Sequence, residues 1–428
     1  MKKKIPRNTK GPSKADKMKI LKAFKWLYPG MWVKRWILLA VFGVLMISMG
    51  FVMMLIEQQS KNKMFASIVI IIGILSVVTG IKRIIKSFVT VFLPERESEL
   101  VDKVYQKRVL EKGSKIVVIG GGTGLSTLLH GLKSYTSNIT AIVTVADDGG
   151  SSGRLRKEFD VPPPGDIRNC LVALADAEPL MGKLFQFRFE EGTELAGHSF
   201  GNLFITAMSK VTGDFDEAIK ESSKILAIRG SVLPSTIDKV NLVAEHMDGS
   251  HTMGESQIPK SKSPIKRIRL QPVNCRPTAE ALEAIKKADA IIMGPGSLYT
   301  SIMPNLLVGR MYQEISSSKA IKVYVCNVMT QKGETDDFKA SDHLKAIIEH
   351  TAPGIMDYCI LNTARIPDEM TRKYITEESH PVIADSDNIR KLKCKVVEAH
   401  IVNAKGYIRH DPDKLAKIIV DLVGSLKK

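Results

Sequence analysis

The chain has 428 residues, 44% hydrophobic and 25% charged, with 31 glycines and 19 prolines. That composition excludes a mostly disordered chain, a collagen-like repeat and a small disulfide-stapled protein. The formal charge of +17 sits almost wholly in the first 115 residues, which carry 23 Lys/Arg against 7 Asp/Glu. The remainder is nearly neutral, and no aromatic interleaving accompanies the basic start, so nucleic acid is not the expected partner.

Residues 1–35 form a basic N-terminus with a single acid, Asp16. Two uncharged runs follow, 21 residues at 36–56 and 18 at 64–81, joined by EQQSKNK. As helices they would extend about 30 Å and about 27 Å, enough to cross a hydrocarbon core. They predict a transmembrane hairpin spanning 36–81 in the cell membrane. Lys34 and Arg35 flank it on one side and Lys82, Arg83 and Lys86 on the other, which puts both termini and the main domain in the cytoplasm. Trp32 and Trp36 suit an interfacial belt, and the lysines of the N-terminus suit anionic lipid heads. Residues 82–113 read as a charged connector, helical over 99–110.

From 114 to 428 strand-like and helix-like segments alternate. Strands are expected at 115–119, 140–145, 265–270, 290–293, 321–326, 356–362 and 395–401. Helices are expected at 126–134, 167–175, 200–209, 215–226, 278–287, 343–349 and 413–423. Short, wholly apolar strands between helices predict an α/β domain, a Rossmann-like, mostly parallel sheet with helices on both faces. The polar stretch 246–262 reads as a surface loop or hairpin arm outside the core. Five cysteines stand singly with no C-x-x-C, and nine histidines show no zinc spacing.

The chemistry is expected at strand ends. The first strand runs into Gly120-Gly121-Gly122-Thr123-Gly124-Leu125-Ser126. Glycines at such a turn allow close approach of a ligand, and the helix start offers N–H groups to an anion. Neither the dinucleotide fingerprint nor a Walker A lysine is present. The turn therefore reads either as a phosphate loop of another type or as tight packing. The second strand runs into Asp147-Asp148-Gly149-Gly150-Ser151-Ser152-Gly153-Arg154, read as a polar, flexible loop. Its acids could hold a divalent ion (Asp148 above all), take a sugar hydroxyl, or pair with Arg154 and Arg156. Asp166, Arg168 and Asn169 follow three prolines, and His198 and Asn202 precede an apolar helix. A further strand ends in Gly294, Gly296, Ser297, Tyr299 and Thr300, and Asn327 closes the next. No nucleophile motif stands out. Convergent binding groups without one suggest direct transfer between bound substrates or ligand sensing.

GGGTGLS, VADDGGSSGRLR, PPPGDIRNC, GHSFGN and GPGSLYTSIMPNLL, in this order, resemble the CofD-like family, most closely its bacterial gluconeogenesis-factor (YvcK-type) branch. The resemblance covers 114–428. It implies a UDP-sugar ligand such as UDP-N-acetylglucosamine and a regulator of cell shape and cell-wall synthesis during gluconeogenic growth. Nucleotide sugar and cell-envelope synthesis proteins would then be its partners, with magnesium and a homo-oligomer also admitted. The same resemblance admits a phospholactyl- or phosphoenolpyruvyl-type transferase with a nucleoside diphosphate carrier, so catalysis stays open. A membrane interaction scaffold is the third reading. By the resemblance, the turns at 120–126 and 294–301 would face the nucleotide, Asp147, Asp148 and 149–154 would line the cleft, and Asn202 would complete its polar wall.

Overall fold

Residues 33–56, 60–92, 108–176, 179–191, 194–376, 378–403 and 407–426 are described in this computed structural model. They divide between residues 106 and 107 into two units. Most of the basic N-terminus and most of the 99–110 helix lie outside the described residues.

The first unit is a pair of helices, α1 (Val33–Ile56) and α2 (Ser60–Phe92). Both are long and apolar enough to cross a membrane. The second continues past 81, so the start of the expected connector is helix. Small residues let the pair close up. Ala66, Gly73 and Gly80 recur every seven residues, as do Gly43 and Gly50, the period of a left-handed helix pair. A Cβ on Gly43 would stand 2.6 Å from the Gly73 carbonyl oxygen, and one on Gly73 would stand 2.7 Å from the Gly43 carbonyl oxygen. Bulky side chains such as Leu38 and Leu55 point outward and stay exposed. At one end the Arg83 guanidinium lies 5.1 Å from the centre of the Trp36 ring.

The second unit is built on a parallel sheet. Its first strands are β1 (Ile116–Gly120), β2 (Ile139–Val143) and β3 (Ser231–Pro234). After an antiparallel excursion, β4 (Asn241–His246), β5 (His251–Met253) and β6 (Ile265–Gln271), the chain returns through β7 (Ala290–Met293), β8 (Ile321–Val325), β9 (Tyr358–Asn362) and β10 (Lys395–Ala399). The spatial order is β10-β9-β8-β7-β1-β2-β3, and every pairing within it is parallel. Strand order therefore reverses between β1 and β7, a topological switch point whose crevice lies at the carboxyl ends of the strands.

Alternate strand residues feed two cores. Ile116, Val118, Ala141, Val143 and Ile292 pack against α3 (Gly122–Leu132), α5 (Gly165–Leu174), α7 (Phe200–Thr212), α8 (Phe215–Ile225) and α15 (Pro412–Leu426). Between α3 and α8 the chain also forms α4 (Gly150–Phe159) and α6 (Pro179–Gln186). Val117, Ile119, Ile142, Ile291 and Met293 face the other way. They meet the antiparallel sheet together with α9 (Ala279–Lys287), α10 (Met303–Leu306), α11 (Met311–Ser317) and α12 (Ala340–His350). The remaining elements are α13 (Asp368–Ile375), α14 (Ser386–Lys391) and the short pair β11 (Val402–Asn403) and β12 (Arg409–His410).

Three expectations are corrected here. The glycine turn is shorter than the spacing suggested, because α3 already begins at Gly122. The stretch 149–154 is helical from Gly150. The 246–262 stretch is a hairpin arm that does join the core, with Ile258 and His246 fully buried. Both sheet faces are covered within residues 108–428. A chain cut before residue 108 is therefore expected to stay soluble and unfold in one cooperative transition by circular dichroism. Aggregation of several such fragments would count against this.

Candidate functional site

The crevice is framed by backbone. A Cβ on Gly124 would lie 2.5 Å from the Pro295 carbonyl oxygen, so the first turn of α3 and the turn after β7 touch main chain to main chain. Asn305 locks them, its side-chain amide donating to the Gly120 carbonyl at 3.0 Å and the Ser301 carbonyl at 2.8 Å. Asn327 Oδ1 accepts from the Gly296 N–H at 3.3 Å. Gly122 has φ +65 and Gly294 φ +84, conformations that favour glycine. Above these turns opens a cleft of about 540 Å³, within the usual range for small-molecule sites.

Of the residues singled out from sequence, Gly121, Gly122, Thr123, Gly124, Gly296, Ser297 and Asn327 line that cleft. Gly120 ends β1 beneath it. Ser126 sits in α3, its hydroxyl donating to the Thr123 carbonyl at 2.9 Å. Tyr299 and Thr300 are buried in a π-helical turn, Leu298–Ile302.

A second group lies around the start of α4. Ser151 Oγ and His198 Nδ1 are 2.9 Å apart, and Asn202 Nδ2 donates to Ser151 Oγ at 3.1 Å. All three are buried. The basic residues there hold chain segments in place: Arg154 donates to the Ala196 carbonyl at 2.8 Å, and Arg168 to Ser199 Oγ and Asn169 Oδ1. Asp148 ties the hairpin arm down, its Oδ1 accepting from the Ser256 N–H at 2.8 Å.

Carboxyl groups face one another between these two groups. A Cβ on Gly121 would lie 2.5 Å from Asp166 Oδ2, and one on Gly165 would lie 3.3 Å from Asp147 Oδ2 and 2.4 Å from Ser152 Oγ. Burial, with Asp147 adding to it, pushes Asp166 up to about 7. Burial, reinforced by Asp147, Glu334, Asp166 and Asp148, pushes Glu255 up to about 8. Burial raises Asp147 as well. A divalent ion such as magnesium would relieve this repulsion in charge. Yet among the described residues no three acidic, histidine or cysteine side chains converge to hold one. The geometry assigns no metal.

These raised values make stability fall with pH. The unfolded chain releases such protons near pH 4 and the folded chain near 7 to 8. Between those values the native state binds more protons, so its advantage shrinks as pH rises. The melting midpoint is expected to be higher at about pH 6 than at about pH 8, with the difference smaller in Glu255→Gln. Calorimetry reads it; an opposite slope would refute the assignment.

Ser301 lines the cleft at the end of the expected 294–301 turn, whereas several lining residues had no signal in the sequence: Thr330, Gln331, Lys332, Glu334 and Arg409. The run Thr330-Gln331-Lys332-Gly333-Glu334 extends the strand-end loop after Asn327, and that position was the available clue. Arg409 arrives on β12, from a part of the chain with no motif. Lys332 pairs with Glu378 at 2.5 Å, and the Arg409 guanidinium lies 5.2 Å from the Tyr407 ring centre.

Comparison with known proteins meets this geometry. The family of the 2-phospho-L-lactate transferase CofD matches residues 116–402. The gluconeogenesis factor of Bacillus subtilis is 52% identical over 310 residues, 72% of this chain and 98% of that protein. The chain belongs to the gluconeogenesis factor family. A family member from Nostoc sp., bearing a provisional form of the same name, is 47% identical over 422 residues, 94% of this chain and 92% of its own. A crystal structure of a UPF0052-family protein from Bacillus halodurans, 51% identical, covers 72% of this chain and 99% of its own, with a TM-score of 0.70. The Bacillus match is nearly a whole protein yet leaves over a quarter of this chain unmatched, whereas the Nostoc match is broad enough to take in the apolar hairpin.

Proposed function

We propose that the protein is a nucleotide-sugar-binding regulator that takes UDP-sugars, UDP-N-acetylglucosamine foremost, and adjusts cell-wall synthesis and cell shape during gluconeogenic growth. The observation that carries this reading is the switch-point crevice itself. Two glycine segments held backbone to backbone leave room for a diphosphate over the α3 N-terminus, with Lys332 and Arg409 also lining the cleft. The apolar hairpin would hold this unit at the cytoplasmic face of the membrane, close to envelope-building partners and anionic lipid.

A second reading draws on the CofD match and on the buried carboxyls beside the glycine turn. It is transfer of a phospholactyl-type group from a nucleoside diphosphate carrier to an acceptor hydroxyl: the new P–O bond forms as the diphosphate bridge breaks, the nucleoside monophosphate leaves, and a carboxylate takes the acceptor's proton. Titration calorimetry of the detergent-solubilised full chain with UDP-N-acetylglucosamine, GDP, NAD and a free deazaflavin separates the two. Regulation predicts UDP-sugar binding with the sugar recovered intact. Deazaflavin and GDP binding without UDP-sugar binding would replace regulation by transfer.

A further inference from the structure

One wall of the crevice carries an acid whose hydrogen bonding is half complete. Glu334 is only 7% exposed, yet it is among the residues lining the cleft. Its Oε1 accepts from Thr300 Oγ1 at 3.1 Å, and the N–H groups of Tyr299 and Thr300 also serve the carboxylate. Its Oε2 is buried without a partner. Beside it, Gln331 donates through Nε2 to Ser297 Oγ at 2.7 Å, and its Oε1 is likewise buried without a partner. Gln331 lines the same cleft. Buried acceptors of this kind are rarely left unsatisfied, and carboxylate oxygens least of all. The Thr300 bond and its burial hold the group in place, so it meets a ligand in a fixed orientation.

We infer that Glu334 is a specificity-determining residue, its free oxygen accepting a hydrogen bond from an N–H or O–H of the ligand, with Gln331 Oε1 accepting beside it. The inference deepens the nucleotide-sugar reading above and rests on it. Burial pushes Glu334 up to about 7; its ionised form repels a phosphate oxygen, and an N–H or O–H donor is what favours that form, so this wall is matched to a donor and not to the diphosphate. What it takes is the donor-bearing end of the molecule. Two parts of a UDP-sugar carry such donors: the imide N–H of the uracil ring, and the amide and hydroxyls of the sugar. A ring that presents an acceptor at the imide position, as cytosine does, sets acceptor against acceptor and is discriminated against.

The experiment is titration calorimetry of the detergent-solubilised full chain and its Glu334→Gln variant with UDP-N-acetylglucosamine, UDP and CDP, alongside melting midpoints. Glutamine keeps the Thr300 bond through its oxygen and turns an NH₂ toward the ligand. UDP-N-acetylglucosamine affinity is expected to fall at least about tenfold, the scale of a lost charge-assisted bond. If uracil is the donor, UDP weakens by the same factor and CDP binds the variant better than it binds the wild type. If the sugar is the donor, UDP and CDP are unchanged and the full loss appears with the sugar nucleotide alone. Should Glu334→Gln lower the melting midpoint, Glu334→Asp carries the comparison, since it keeps the charge but withdraws the oxygen by one methylene. Wild-type binding with affinities within about twofold in a folded variant overturns the role of Glu334 alone. No UDP-sugar binding by the wild type overturns this inference and the nucleotide-sugar reading together.

Discussion

Gly124→Val is expected to abolish measurable UDP-sugar binding and to lower the melting midpoint. The new Cβ would stand 2.5 Å from the Pro295 carbonyl oxygen and 3.1 Å from Gly296 Cα. Both are backbone atoms and neither can rotate away. Relief requires the start of α3 to retreat from the β7 turn, which pulls apart the two walls of the proposed diphosphate cradle. Overpacking of this kind typically costs about 1–3 kcal/mol of stability, while the loss of binding follows from geometry. Gly182→Ala is the control, since nothing lies within 4 Å of a Cβ there; it should leave both quantities unchanged or raise stability slightly. Gly122 behaves differently again, because it is open toward Ser301 at 3.8 Å and a tryptophan there would occupy ligand space at a strained φ. Full affinity in a folded Gly124→Val protein would place the ligand elsewhere.

The second large effect is one of labelling, nearly all or none. Lys63→Cys is expected to react with a membrane-impermeant thiol reagent in intact cells, and Lys112→Cys only after permeabilisation. The reasoning is the Lys/Arg excess outside the two apolar helices compared with their short connection. Background should be low, because all five native cysteines are buried. Both substituted positions are exposed, so failure to label cannot be blamed on burial within the protein. Labelling in the reverse order would put the α/β unit outside the cell and overturn the proposed membrane arrangement.

What could be read from sequence tracks how locally each element is determined. Six of the seven parallel strands were legible, most of them because a strand buried on both faces is an unbroken apolar run such as IVVIG or AIIM. Ser231–Pro234 escaped, being four residues long and ending in proline. The strand expected at 395–401 was placed, although its burial pattern is only partial. The helix Gly150–Phe159 escaped for another reason. GSSGRLRKEF is a poor helix by propensity, and it is held from outside, by the Ser151–His198–Asn202 bonds and by Arg154 and Arg156 anchored on Ala196 and Val240. Reading it as a flexible loop followed from judging its residues without those neighbours. The site divides in the same way. The glycine turns announced themselves through composition at strand ends, while Gln331, Glu334 and Arg409 are ordinary residues made significant by where topology delivers them.

That delivery sets when the site can exist. Its floor is made at Gly120–Gly124, its lock is Asn305, and its cationic rim comes with Arg409, carried in just before a terminal helix that packs on α3. During synthesis, the first and last of these parts emerge almost 300 residues apart, so no nascent or prematurely ended chain assembles the complete cleft. A ligand that binds only the closed arrangement draws the late C-terminal segments into place and adds its binding free energy to their docking. Occupancy then reports more than ligand concentration: it marks chains in which the segments at 120–124 and 409 have both docked.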